Sequence, residues 1–249
     1  MTTHFPGTPS DQVDQVLATG RGDITTAFVS MATRHPDGTD AEYLRWHTLD
    51  HRPEQHRLSA VRASLRLVST PQCRAARAIT GGRFEPVDHV MTYFFSDLGG
   101  LDGFNELSAA LGGAGRKLAL LPHVERGVYG VATKVAAPRV KIGADVLPWR
   151  PILGAYLLIE DGSVAPAELT DVEGVAGVWS LESLRVDERL AGAPPGQLLT
   201  YCFLDDDPVA TATRLRPVLE RRWQNLGITP LFAAPFHPVV AFEWDRHVP

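Results

Sequence analysis

The sequence predicts an α+β protein made of two tandem β-α-β-β-α-β units that close against each other. Three observations carry this expectation. The segment Thr92-Tyr93-Phe94-Phe95-Ser96-Asp97 returns 108 residues later as Thr200-Tyr201-Cys202-Phe203-Leu204-Asp205, with four of the six positions identical. Each copy reads as a strand followed by a Leu-rich helical stretch and a final apolar strand, and an internal repeat of this size governs the whole fold. The turn signals Pro36-Asp37-Gly38 and Glu160-Asp161-Gly162 occupy equivalent places in the two halves.

Residues 1–22 read as an arm, in which Ser10 caps a short helix through Ala18 that Gly20 ends. The first half covers residues 23–137. It opens with an apolar strand from Ile24 to Ala32. A helix follows from Ala41 to about Arg52, and Pro53, which lacks a backbone donor, predicts a kink or stop there. Val61 to Leu67 alternates strictly, with Val61, Ala63, Leu65 and Leu67 on one face and Arg62, Ser64 and Arg66 on the other, as a half-buried strand does. A polar loop from Ser69 to Arg83 leads to a strand from Glu85 to Phe95, a helix from about Leu101 to Leu121 and a strand from Gly127 to Val135. A Pro-rich linker, 138–151, separates the halves. The second half, 152–246, repeats the order with strand Ile152–Ile159, a short helix Ala165–Val172, strands Val175–Leu184 and Gln197–Leu204, helix Pro208–Asn225 and strand Ala234–Trp244.

The chain has 249 residues, 44% hydrophobic and 21% charged, enough to bury a core without disulfides or metal clips. A net charge of −5 gives no footprint for nucleic acid. The two cysteines, Cys73 and Cys202, lie in different halves, and the default is two free thiols in a reducing cytoplasm. No apolar run approaches the length of a membrane helix, and residues 1–22 lack a secretory apolar core. No Walker A, dinucleotide fingerprint or G-x-S-x-G elbow is present.

Two β-α-β-β-α-β units mean two ferredoxin-like sheets, each with one face covered by helices and one in need of a partner. The other sheet of the same chain supplies it. In this order, and in the helix segment Trp46-His47-Thr48-Leu49-Asp50-His51-Arg52-Pro53-Glu54, the chain resembles the dimeric α+β barrel superfamily in a fused, tandem form. The helix segment is similar to that of EthD-like proteins, where a Trp/His pair, a second His and a Pro-Glu precede a Pro-Gly and a strand; Ser59-Ala60 stands here in place of Pro-Gly. Tandem fusion removes the need for a dimer without forbidding a homodimer.

On a helix, Tyr43, Trp46, His47, Asp50 and Glu54 form one stripe with His51 at its border. An imidazole titrates near neutral pH, and Asp50, three residues after His47, is placed to orient it. The competing reading makes Trp46 and Tyr43 core residues and the polar groups a solvated face. His47 and His51 could ligate a metal with a third ligand from His89, Glu54 or His56, but nothing in the spacing requires one, and Thr48 stands where a zinc-protease helix carries Glu. Period-two alternation puts Val87, His89, Met91, Tyr93 and Phe95 on one face. There His89 either donates to a ligand or is a satisfied core histidine. Tyr93 either donates a hydroxyl or, with Tyr201 as its counterpart, supports both halves alike. Arg62 and Arg66 either pair with helix carboxylates or clamp an anionic substrate, and surface placement is expected for both. Gly99-Gly100-Leu101-Asp102-Gly103 resembles a heme-pocket motif of dye-decolourising peroxidases; it reads equally as a turn with Asp102 capping the second helix.

The resemblance implies a small-molecule enzyme without cofactor or metal, acting on aromatic or polyketide-like compounds by oxygenation, cyclisation, decarboxylation or dehydration. In it His47 or His51 is the acid or base, Asp50 the orienting group, and His89, Tyr93 and Trp46 the substrate-binding set. The alternative is a non-catalytic ligand-binding or structural barrel, with a heme-binding protein as a lesser one. The discriminator is whether His47 or His51 opens into a cavity containing His89. The second half lacks the Trp-His segment and reads as a scaffold.

Overall fold

Eight antiparallel strands close into one barrel in the order β1-β3-β2-β8-β5-β7-β6-β4. The computed structural model describes residues 2, 4–17, 23–116, 120–162, 164–186 and 192–248. The first half supplies β1 (Thr26–Ala32), β2 (Val61–Val68), β3 (His89–Phe95) and β4 (His123–Ala136); the second supplies β5 (Gly154–Asp161), β6 (Val175–Ser183), β7 (Gln197–Leu204) and β8 (Thr229–Pro238). Each half has the β-α-β-β-α-β order and the same neighbour relations, so the α+β expectation of two ferredoxin-like halves holds.

The halves join edge to edge. β4 pairs with β6 from Tyr129↔Ser183 to Ala136↔Gly177, while β2 meets β8 only at Leu67↔Pro238 and Val68↔His237. The apolar faces of both half-sheets thereby line one interior, filled by Val29, Leu67, Phe94, Trp179, Tyr201, Phe203 and Phe236 among others. Eight strands leave an interior just wide enough for side chains to fill. Across it, the Thr92 and Tyr201 hydroxyls are 2.5 Å apart and tie the first half to the second.

Strand pairing corrects the apparent sequence repeat by one residue. The β1·β3 ladder opens at Thr26↔Phe95 and the β5·β7 ladder at Gly154↔Leu204, so Phe95 corresponds to Leu204. Tyr93 then matches Cys202, and Thr92 matches Tyr201. A one-residue slip exchanges the two faces of a strand. Tyr201 accordingly points into the barrel, whereas Tyr93 points outward among Met91, Phe95 and Phe104.

Helices cover the outer faces. In the first half, α1 (Asp40–Trp46) passes through one π-helical turn (His47–His51) into α2 (Arg52–Gln55). The Arg52 N–H donates to the His47 carbonyl, five residues back. The helix thus carries on through Pro53 where a stop was expected: the wider turn relieves the clash of the proline ring with the preceding turn's carbonyl. The expected polar loop contains a short helix, α3 (Pro71–Ala75), capped by the Thr70 hydroxyl, which accepts from the Cys73 N–H. α4 (Gly100–Gly113) is shorter than expected. It has no side-chain cap, and Asp102 sits inside its first turn rather than at the cap. A Cβ on Gly100 would lie 2.5 Å from Ala60 Cβ, so glycine is what lets α4 seat directly on the start of β2.

In the second half the first helix is a 3-10 turn (Ala167–Asp171), and α5 (Pro208–Leu226) packs on Tyr156, Leu158, Val178 and Cys202. The last strand runs from Thr229 to Pro238, earlier than expected. The arm forms a 3-10 turn at Ser10–Gln12; the expected helix end at Ala18 and Gly20 lies outside the described residues.

Thr92→Val and Tyr201→Phe should each cost about 1–3 kcal/mol, because each strands a buried hydroxyl. The double variant should cost clearly less than the sum. Urea unfolding of the four proteins checks this, and strict additivity would show that the hydroxyls do not hold each other.

Candidate functional site

The outer face of the first half-sheet alternates with its barrel face, and this alternation sends Ser30, Arg66, Met91 and Tyr93 toward the helices. Between them and helices α1 and α4 lies a cavity of about 210 Å³, with Phe28, Phe104 and Leu121 among its apolar walls. His47 and His51 enter it from the π-helical turn, and Asn105, Ser108 and Arg126 complete the polar lining. No carboxylate lines it among the described residues.

His47 is 4% exposed, and its Nε2 stands 3.3 Å from the Tyr93 hydroxyl. Burial, then the charges of Arg66, His51 and Arg52, hold its pKa well below the ordinary imidazole value. The ring is therefore neutral at neutral pH. Burial likewise pushes the Tyr93 phenol well up, so it stays a protonated donor. The His51 ring stands 5.6 Å from that of His47 and stacks on Trp46 at 5.1 Å. Gln55 approaches its Nε2 at 3.4 Å.

The π-helical turn also decides what leaves the cavity. Its wider pitch breaks the three-residue spacing that would have put Asp50 under His47. Asp50 instead accepts from Arg116 at 3.1 Å, and Glu54 does the same at 3.1 Å. Asp50 therefore does not orient His47. Trp46 does not line the cavity either: it stands behind His51 and donates from Nε1 to the Arg116 carbonyl at 3.0 Å. His89, 1% exposed, donates from Nε2 to Asp40 at 2.6 Å. Burial lowers its pKa despite that partner, so a neutral imidazole serves an Asp40 carboxylate that also accepts from the His35 N–H. It is a core histidine tied to Asp40 at the N-terminus of α1, with its Nδ1 buried and unpartnered. His47 and His51 thus open into a cavity, but His89 does not share it.

Arg66 was expected at the surface and is 5% exposed. The face of β2 opposite the barrel is roofed by helix, not by water. The guanidinium lies 5.1 Å above the Tyr43 ring, and its Nε and Nη2 are buried without a hydrogen-bond partner. Two buried guanidinium nitrogens without an acceptor carry a desolvation cost that the contact with the ring offsets only in part. Arg62, four residues earlier, does reach the surface and pairs with Asp23 at 2.6 Å. The sequence signal for Arg66 was its strict alternation with Leu65 and Leu67 within a strand of a sheet whose two faces are both covered.

A wider cleft of about 570 Å³ lies at another edge of the barrel, near Arg83 and Gln197. There Arg83 pairs with Glu125 at 3.0 Å, and Gln197 donates to the same carboxylate at 2.9 Å. No group of three or more His, Cys, Asp or Glu residues able to hold a metal occurs among the described residues. Heme does not fit the motif that suggested it: the Gly99–Gly103 turn closes on Ala60 and Phe95. The cavity beside His47 is also smaller than the roughly 300–1,000 Å³ of most small-molecule sites. No helix among the described residues is long and apolar enough to cross a membrane.

Comparison with known proteins reveals likeness of structure alone. No family model matches the sequence, and no curated protein does. A solved structure assigned as a chlorite dismutase superposes over 91% of this chain and 100% of its own, with a TM-score of 0.50 at 11% identity. The fold is the ferredoxin-like α+β barrel. An anthrone oxidase-like protein (TM-score 0.47, 12% identity, 89% of this chain and 93% of its own) and a dye-decolorizing protein from V. cholerae (0.43, 12%, 86% and 93%) are also similar. At such identities the activities in those names belong to those proteins.

Imidazoles desolvated to different degrees set the acid stability. His47, His56, His89, His237 and His247 all have folded pKa values below 6.5. The unfolded chain therefore takes up protons first. This contribution is complete above about pH 6.5 and is lost as pH falls through the folded values. The melting temperature should drop between about pH 7 and pH 5.5, and His47→Gln should flatten the slope. A melting temperature that is level or rises over that range would contradict the burial argument.

Proposed function

We propose that the chain is a small-molecule enzyme working without a bound cofactor, in which His47 is the general base toward an acidic C–H or O–H of an oxygenated aromatic or polyketide-like compound. One observation carries this reading: a neutral, buried imidazole faces a protonated tyrosine hydroxyl, 3.3 Å away, in the wall of a partly open cavity with apolar walls. A neutral ring has a lone pair to accept with, and its lowered pKa limits it to substrates whose hydrogen is already acidic, such as a C–H between a carbonyl and a ring. Tyr93 donates to the substrate oxygen on which charge develops. His51, backed by Trp46 and Gln55, holds the second polar corner. Asp50 and His89 act at a distance, by pinning the helix to Arg116 and to β3. Which product follows, by oxygenation, cyclisation, decarboxylation or dehydration, is set by the substrate once its proton has gone.

The same strand order in the two halves supports reading the chain as an internal duplication, with EthD-like kinship in the helix segment. On that reading a single chain closes the barrel that dimeric relatives close with two. Two buried free thiols suit a reducing cytoplasm.

The test is solvent exchange at the activated methylene of 2-tetralone in D2O, followed by proton NMR. Wild-type protein should accelerate exchange over buffer, and His47→Gln should remove about 10²–10⁴-fold of that rate. The acid limb of kcat/KM should lie below about 6.5, because the folded imidazole stays unprotonated to lower pH than a free one. Equal rates for wild type and His47→Gln would dismiss His47 as the base.

A further inference from the structure

The helix-roofed cavity contains a charge that the chain leaves unanswered. Arg66 is buried, lines the cavity, and has two guanidinium nitrogens without a partner. Arg126 lines the same cavity, and no Asp or Glu among the described residues does. By contrast the buried Arg222 pairs with Glu160 at 3.3 Å, and the half-buried Arg139 pairs with Asp205 at 2.7 Å. The buried Arg77 donates to the Glu85 carbonyl at 2.7 Å and to the Val87 carbonyl, and only its Nε lacks a partner. A guanidinium held in place under a helix and over the Tyr43 ring, with its donors unspent, is a preorganised receptor for a planar oxygen anion.

We propose that the cavity takes its ligand as an anion, a ring compound carrying an ionised carboxylate, phenolate or enolate oxygen, and that Arg66 is the residue that selects it. This deepens the enzyme reading and rests on the same cavity, but it concerns binding and does not need His47 to move a proton. The apolar walls from Phe28, Met91 and Phe104 receive the ring, and the charged edge meets the guanidinium. Arg66 is then a specificity-determining residue. Its field also has a chemical consequence: the charge that weakens His47 as a base stabilises an oxyanion bound to Arg66.

Titration calorimetry with benzoate and with benzamide, equal in shape and different in charge, tests this at neutral pH. Wild-type protein should bind benzoate about 10- to 100-fold more tightly than benzamide. Arg66→Met should abolish that preference. Arg66→Lys should keep only part of it, because an ammonium cannot offer a planar fork. Without ligand, Arg66→Met should melt at the wild-type temperature or above, since it removes an unpaired buried charge. Should that variant fail to fold, the wild-type ratio and Arg66→Lys still decide. Failure of wild type to bind benzoate at millimolar concentration, equal affinity for the two probes, or a preference that survives in Arg66→Met would overturn the proposal. Proton exchange without anion preference would sink this inference alone, and anion preference without exchange would sink only the assignment of His47 as base.

Discussion

Closure of the barrel is the constraint from which the rest follows. Each half-sheet packs one apolar face under its own helices, and the other is covered by the corresponding face of the other half. Joining the sheets along β4·β6 and β2·β8 puts both faces into one interior, which side chains as large as Trp179, Phe94 and Tyr201 then fill. An interior packed in this way has no room for a ligand. Small-molecule space is left at the barrel's edge, as in the cleft near Arg83, and outside the sheet between strand and helix, where the cavity beside His47 is found.

The two halves use that outer layer differently, and the difference is visible position by position. Tyr93 on β3 corresponds to Cys202 on β7. Arg66 stands opposite Met91 on β3, and the matching place on β6 is Ser180, opposite Thr200. Where the first half presents a phenol and a guanidinium, the second presents a thiol and a hydroxyl. α5 seals that face with Ala212, Leu215 and Leu219, and Trp223 anchors it by donating to Glu160 at 2.6 Å. Under α5, apolar packing takes the place that the cavity has in the first half.

In the first half the helix gives up regularity to make room. A π-helical turn before Pro53 turns His47 and His51 together toward the sheet and sends Asp50 outward to Arg116. Such turns are rare and concentrate at functional sites. The turn is held at both ends by charge. Asp40 at the helix start takes the proton-bearing nitrogen of His89, and Arg116 beyond α4 bridges Asp50 and Glu54. These contacts fix the helix relative to the sheet while leaving the imidazoles and Arg66 facing the cavity.

The strand order and its doubling were legible because period-two alternation and turn residues are local properties, strongest at Val61–Leu67 and Gln197–Leu204. His47, His51 and Tyr93 were legible as candidates for the same reason. The failures were those of facing and neighbourhood. Tyr93 and Tyr201 occupy identical words in the sequence yet point to opposite sides of their strands, because hydrogen-bond register, not sequence alignment, sets the face. Asp50 left the His47 stripe because the helical pitch widened around a proline. His89 turned out to be spoken for by Asp40, 49 residues away. Arg66 looked like a surface residue because alternation says only which residues oppose the apolar face, not whether water or a helix lies there. By itself the sequence determined the elements, their order and the residues available for chemistry. The tertiary structure alone decided which of them share a cavity, because burial and the pairing of charges depend on contacts between segments far apart in the chain.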